Sequence, residues 1–261
     1  MHMFVDSMAH LTDTRISDIS MLLERAHAVG ITHVIHAGID PYDDPLLPAG
    51  LPASPKILKA FGIHPMAVGR RSLSQQLQQL EQRASEKGMV AIGEIGLDRR
   101  EGMPNISLQL EAFKEQLQLA HQLQLPVIIH CVKATGLLLN ALQETGCVKD
   151  IAGVWHGYSG SPDLVSQIEN TGLHISIGGM VTNEKAKNCQ RSAARISPER
   201  LLIESDTPDH APLGWPSKLS EPAALETTVK KLSELRQESV EVIKNHTSHN
   251  AQLLFNLKEF T

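Results

Sequence analysis

Four short apolar runs in this chain each end in a side chain able to bind a metal ion. They are VAIGE at Glu94, PVIIH at His130, GVWH at His156 and LLIESD at Asp206. Apolar, β-branched runs of this length read as buried parallel strands, and a strand interior disfavours an ionised carboxylate or a polar ring. Brought together at one end of a barrel, the four form a cage of two imidazoles and two carboxylates. That donor set suits Zn²⁺, Mn²⁺ or Ni²⁺ and suits Mg²⁺ less, because Mg²⁺ prefers oxygens and water. Glu94 can bridge two ions and is the natural centre of a two-metal site. Asp206 can hold an ion and accept a proton from attacking water, so Glu94 and Asp206 are the expected catalytic residues. Any one of the four alone is more often structural; four at matching strand ends make a strong signal.

The elements that must position them recur along the chain. Eight candidate strands are MFVD (3–6), HVIHAG (33–38), KAFGIH (59–64), MVAIGEIG (89–96), PVIIHC (126–131), AGVWHG (152–157), HISIGG (174–179) and LLIESD (201–206). Helical patterns cover 18–29, 73–87, 108–123, 223–235 and 238–254. Strand–helix alternation implies parallel strands and right-handed crossovers. With 261 residues, the expected fold is an α/β (β/α)₈ TIM barrel built as a single domain over 1–261. One connection breaks the rhythm: Pro41, Pro45, Pro48, Pro52 and Pro55 fall within fifteen residues, so a helix between strands two and three is missing or very short. Strand periodicity puts Ile128 with His130, Leu202 with Glu204 and Asp206, and Ile92 with Glu94 and Gly96 on barrel-facing sides, with Cys131 facing the helices.

Composition sets the outer bounds. Hydrophobic residues make up 41% and aromatics only 3%, so the core must be built from branched aliphatics, as barrel layers are. The net charge of −5 argues against a broad basic surface for non-specific nucleic-acid binding. Cys131, Cys147 and Cys189 are scattered, show no zinc spacing and fit a reducing compartment. With no signal segment or membrane span in view, the expectation is a cytoplasmic, monomeric protein without membrane contact. No Walker loop, dinucleotide fingerprint or GxSxG elbow is present.

FGIHP (61–65), VAIGEIGLD (90–98), LPVIIHC (125–131), HGYSG (156–160) and LLIESDTP (201–208) resemble the signature segments of the TatD family of metal-dependent deoxyribonucleases. The resemblance runs in order over nearly the whole chain. It implies a TIM barrel related to amidohydrolases that cleaves DNA phosphodiesters with divalent ions, often as a 3′→5′ exonuclease on single strands. It places Glu94, His130, His156 and Asp206 at metal positions and His64 beside the substrate phosphate. Many members open with Asp-x-His-x-His; here the segment is Asp6-Ser7-Met8-Ala9-His10. A thioether is a poor ligand for Mn²⁺ or Mg²⁺, so one position keeps only His10, Glu94 and Asp206. One ion is then held firmly and the second weakly. The chain also departs from the pattern at Val132-Lys133, Arg99 and Ser220.

Supporting residues follow from the strand ends. Arg99, Arg100 and Lys133 could meet phosphate oxygens, with Arg99 and Lys133 the substrate candidates beside His64. Glu204, one inward layer below Asp206, could orient a ligand from behind, and Asp6 could hold His10 or another imidazole. Tyr158 and Trp215 could stack on bases, although packing is the commoner role for such side chains. His33, His36, His174, His246 and His249 are expected to be structural. The leading expectation is therefore a DNase acting on DNA single strands or 3′ ends. Two alternatives are an amidohydrolase-like enzyme cleaving esters or amides, such as aminoacyl substrates, and a metal-poor interaction module descended from the family.

Overall fold

The structure, a computed structural model, describes residues 3–42, 47–145 and 152–257. Its eight strands are β1 (Val5–Ala9), β2 (His33–Ala37), β3 (Lys56–Phe61), β4 (Met89–Asp98), β5 (Val127–Val132), β6 (Gly153–Trp155), β7 (His174–Ile177) and β8 (Leu201–Ile203). All pair in parallel and in chain order. An Ala9–Thr207 bridge closes the sheet on itself. The expected TIM barrel is the fold. Between β2 and β3 no helix occurs among the described residues, as the prolines require; Pro45, like Cys147, lies outside them.

The helices are α1 (Ile19–Ala28), α2 (Leu73–Ala84), α3 (Ile106–Leu123), α4 (Thr135–Glu144), α5 (Val165–Glu169), α6 (Lys187–Arg195), α7 (Leu225–Arg236) and α8 (Val240–Leu254). Several start where a side chain accepts from a first-turn amide that has no helical partner: Asp18 from Met21, Ser72 from Gln75 and Ser239 from Val242. None among the described residues is long and apolar enough to cross a membrane.

Two apolar layers separate at the sheet. Outward side chains such as Val34, Ile92, Ile95, Leu97, Ile129, Trp155 and Ile203 pack with the helices. Inward ones, including Val5, Met8, Ile35, Ala91, Ile128, Val154 and Leu202, fill the lower barrel, which residues of α8 and its C-terminal flank cap. Branched aliphatics in both layers remove about 1.5–3 kcal/mol each from water, which is how a chain so poor in aromatics holds a barrel together.

Two departures from regular alternation matter for the site. In β4, Ile92 pairs with Val127 and Gly93 with Ile128, but Ile95 rather than Glu94 meets Ile129. Glu94 is thus the extra residue of a bulge. The expectation that Ile92 and Glu94 share a face is corrected: Ile92 faces the helices, and the bulge turns Glu94 toward the site. In β1, expected at 3–6, the strand runs on to Ala9. Ser7 is tolerated there because its hydroxyl pairs with Ser176 at 3.1 Å, and Met8 is fully buried in the lower barrel.

Candidate metal centre

The strand ends deliver their polar side chains to one cavity of about 400 Å³. Its floor holds His10, Glu94, His130, His156, Glu204 and Asp206, each buried except the half-buried His10. Glu94 is the hub. Its Oε1 lies 2.8 Å from His10 Nε2, and its Oε2 lies 2.6 Å from His156 Nε2 and 3.4 Å from His130 Nδ1.

The tautomers follow from what the other ring nitrogens touch. His10 Nδ1 sits 2.8 Å from the Ala37 carbonyl, which can only accept, so Nδ1 carries a proton and Nε2 is the nitrogen that faces Glu94. His130 Nε2 lies 3.1 Å from Asp98 Oδ2, so its Nδ1 turns to the centre, 3.2 Å from His156 Nε2. His156 Nδ1 faces Glu204 Oε1 at 3.4 Å, which leaves Nε2 to the centre. Three ring nitrogens therefore face one carboxylate, and each can turn a lone pair to a cation that displaces its proton. Glu204 Oε2 is buried without a hydrogen-bond partner, and Glu94 Oε1 has its ion pair with His10. Such a cluster needs positive charge at its middle, and the donor set fits a divalent cation.

Protons respond to the same geometry. Burial opposes charging His10, yet the Glu94 carboxylate outweighs it and pushes His10 up to about 9. Burial likewise works against His156, which Glu94 and Glu204 nevertheless hold well above the ordinary imidazole range. Burial favours a neutral Glu94, but His156 and His10 keep it well below the usual carboxylate range. Asp206 moves the other way: burial, with Glu204 and Glu94 nearby, pushes it up to about 6 against the pull of His156. Carboxylates and imidazoles with opposed shifts in one cleft are a mark of functional sites.

His64 differs in kind. Its ring packs edge-on to His130 with centroids 4.4 Å apart, and its Nδ1 accepts from the Met66 amide at 3.1 Å. A neutral His64 must then carry its proton on Nε2, so it offers a donor and not a ligand lone pair. Burial, reinforced by His130, drives it down to about 3.

Asp98 has a role that the strand-end pattern did not assign. It is fully buried, holds His130, and accepts from Arg100 Nε at 2.8 Å. Its carboxyl lies well below the usual range because the His130 and Arg100 hydrogen bonds overcome burial. Its backbone is fixed in turn by Gln109, whose amide accepts from the Asp98 N–H and donates to its carbonyl. A carboxylate closing a β-strand just after a metal-type glutamate is the signal that could have exposed it.

Other expectations need correction. Asp6 hydrogen-bonds no imidazole among the described residues; its Oδ1 accepts from the Ser205 amide at 2.8 Å and the Met8 amide at 3.4 Å, tying β1 to the end of β8. Arg99 and Lys133 are exposed and do not line the cavity, whereas Arg100 and Arg15 do. Arg15 is bound by both Asp13 and Asp209. Tyr158 is 3% exposed, stands edge-on to Trp155 and donates to the Ser161 carbonyl, so it presents no ring for stacking. Trp215 is not part of the cavity wall. Cys131 packs toward the helices as expected, and burial pushes its thiol up to about 12.

A closed parallel barrel whose C-terminal face gathers imidazoles and carboxylates around one buried glutamate defines the class of barrel metal-dependent hydrolases. Comparison with known proteins gives the family. The family model described as TatD related DNase matches residues 5–256; the chain belongs to the TatD family of metal-dependent hydrolases. It is 29% identical to the uncharacterized metal-dependent hydrolase YabD of Bacillus subtilis, over 98% of this chain and 100% of that protein. It is 30% identical to the 3′-5′ ssDNA/RNA exonuclease TatD of Pantoea ananatis, over 97% and 99% respectively. The crystal structure of YjjV, a TatD homologue from Escherichia coli, superposes with a TM-score of 0.85 at 27% identity, covering 98% of each chain.

Proposed function

We propose that this chain is a nuclease that removes nucleotides from the 3′ end of single-stranded DNA, acting as a cytoplasmic, monomeric, single-domain enzyme. The observation that carries the reading is the convergence of His10, His130 and His156 on Glu94 beside Asp206, inside a cavity of about 400 Å³. The relative named as a 3′-5′ ssDNA/RNA exonuclease supports a single-stranded substrate, and the family model described as TatD related DNase supports the choice of DNA. Glu94, His130, His156 and Asp206 would hold one divalent ion firmly. The position near His10 would hold a second weakly, because Met8 supplies only a buried thioether. Zn²⁺, Mn²⁺ and Ni²⁺ match the nitrogen donors better than Mg²⁺ does.

The chemistry an ion supplies in such a cage is polarisation of a phosphoryl oxygen and a lowered pKa for water. The chain's own residues do the rest. Asp206, on the cavity floor beside Glu94 and His156, is placed to take the proton of the attacking water. His64 donates from Nε2 to a non-bridging phosphate oxygen and, being neutral, does so without a desolvated charge of its own. Glu204 and Asp98 hold the His156 and His130 rings to their tautomers. The same buried donors speak against an interaction module, since an unpaired carboxylate oxygen at the bottom of a cleft is costly without a ligand.

The test uses chelator-stripped protein reloaded with Mn²⁺, Zn²⁺ or Mg²⁺ and single-stranded DNA labelled at either end. Expected is stepwise loss from the 3′ end that Asp206→Ala abolishes. If protein with ion demonstrably bound leaves DNA intact yet cleaves esters or aminoacyl compounds, the nuclease assignment fails.

A further inference from the structure

We propose that Met66 and Met180 form an apolar clamp that grips the base of the nucleotide being removed, whichever base it is; this rests on the nuclease reading above. The two methionines stand on the C-terminal side of β3 and β7 and line the same cavity. In a closed eight-stranded barrel with strands in chain order, those strands are four apart and lie on opposite sides of the mouth. Met66 is 39% exposed and Met180 is half-buried. One exposed methionine is ordinary; two opposed across a polar cleft are a different matter.

Elimination points the same way. A base presents two flat apolar faces, and stacking on aromatic rings or free guanidinium planes is the usual way to hold one. Among the described lining residues the exposed ring is the imidazole of His210, which lies 3.8 Å from Asp206. Tyr158 is buried and edge-on to Trp155. Arg15 is held between Asp13 and Asp209, and Arg100 is committed to Asp98. The two thioethers add polarizable surface at the mouth that adapts its shape and favours aromatic partners.

Spacing strengthens the case. Met66 lies two residues beyond His64, and its own amide donates to His64 Nδ1 at 3.1 Å. The group assigned to the phosphate and the group assigned to the base are thus fixed to each other through one hydrogen bond. Met180 stands on a turn equally well tied, with its carbonyl accepting from Asn183 and the Thr182 hydroxyl bonded to Gly179. Flexible side chains on anchored backbones make a grip tolerant of purine or pyrimidine. Such a clamp needs a splayed, unstacked base, so it selects single-stranded ends over duplex.

The experiment compares an oligodeoxynucleotide ending in an ordinary 3′ nucleotide with the same oligonucleotide ending in an abasic sugar. Wild-type protein is expected to prefer the base-bearing end by roughly tenfold in kcat/KM, mostly through KM. Met66→Ala and Met180→Ala are each expected to shrink that preference by about three- to tenfold. Met66→Leu, which keeps apolar volume, is expected to retain it. Equal cleavage of both ends by wild type, or a preference unchanged in both alanine variants, overturns the clamp while leaving the nuclease standing. Failure of wild type to cleave either oligonucleotide sinks the nuclease reading and the clamp with it.

Discussion

Replacing Asp98 with Asn removes one charge and changes almost no volume, yet it should loosen the metal centre from a distance. Asp98 Oδ2 accepts the His130 Nε2 proton at 3.1 Å, and the carboxylate is fully buried. Its second partner is Arg100, which holds both oxygens. An asparagine has a single acceptor oxygen for these two donors. If Arg100 keeps it, the amide NH₂ faces His130 Nε2 and drives the ring proton onto Nδ1, the nitrogen aimed at Glu94. A charge-assisted hydrogen bond of this kind contributes about 1.5–3 kcal/mol, and about 1.4 kcal/mol is tenfold in affinity. The loss expected is therefore roughly 10- to 100-fold in ion affinity, the range found for groups that orient metal-bound histidines. Isothermal titration of Zn²⁺ or Mn²⁺ into chelator-stripped protein measures it without reference to any substrate. Arg100→Ala leaves the Asp98–His130 bond in place and should change affinity by less than about threefold. Unchanged ion affinity in Asp98→Asn, or an equal loss in Arg100→Ala, refutes the tautomer argument.

Two further outcomes follow from packing and burial. Gly96 has φ +145°, and a Cβ built there would meet the His130 carbonyl oxygen at 1.9 Å. Gly96→Ala must part β4 from β5 beside two expected ligands, so ion affinity and turnover should fall by about 100-fold or more, with a lower urea midpoint; wild-type ion affinity would contradict this. His33 is 1% exposed, and burial, aided by Lys56, pushes it down to about 4. The unfolded chain then binds the extra proton between about pH 6.5 and 4, so stability is full above 6.5 and falls as pH drops through that window, by at most about 3 kcal/mol. Urea denaturation at pH 7 and 4.5 should show this slope flattened in His33→Gln, and an unaltered slope counts against it.

The barrel and the core of the site were readable because both depend on periodicity. Apolar runs alternate with helical stripes, and a polar residue closing such a run has no reason to be there unless it does something. Three features escaped that logic. The β4 bulge inserts one residue, so a strict two-residue period misassigned Ile92 while still pointing to Glu94. Arg99 and Arg100 are neighbours, and only the turn after β4 decides which faces the cavity. Asp98 lies beyond the strand expected at 89–96, and its meaning lies in a histidine on the next strand. Each depends on contacts between elements, which no local pattern encodes.

The seam that closes the barrel is built from the site itself. Ala9 bridges Thr207, the His10 amide donates to the Thr207 carbonyl at 2.7 Å, and the Asp206 amide donates to the Met8 carbonyl at 3.2 Å. First and last strands thus meet through the backbones of two expected ligands. A chain still emerging from the ribosome, or one cut short before β8, has His10 in hand but neither a closed barrel nor Asp206 beside it. Catalytic competence and closure of the barrel become one event, so an unfinished copy of this hydrolase stays inactive.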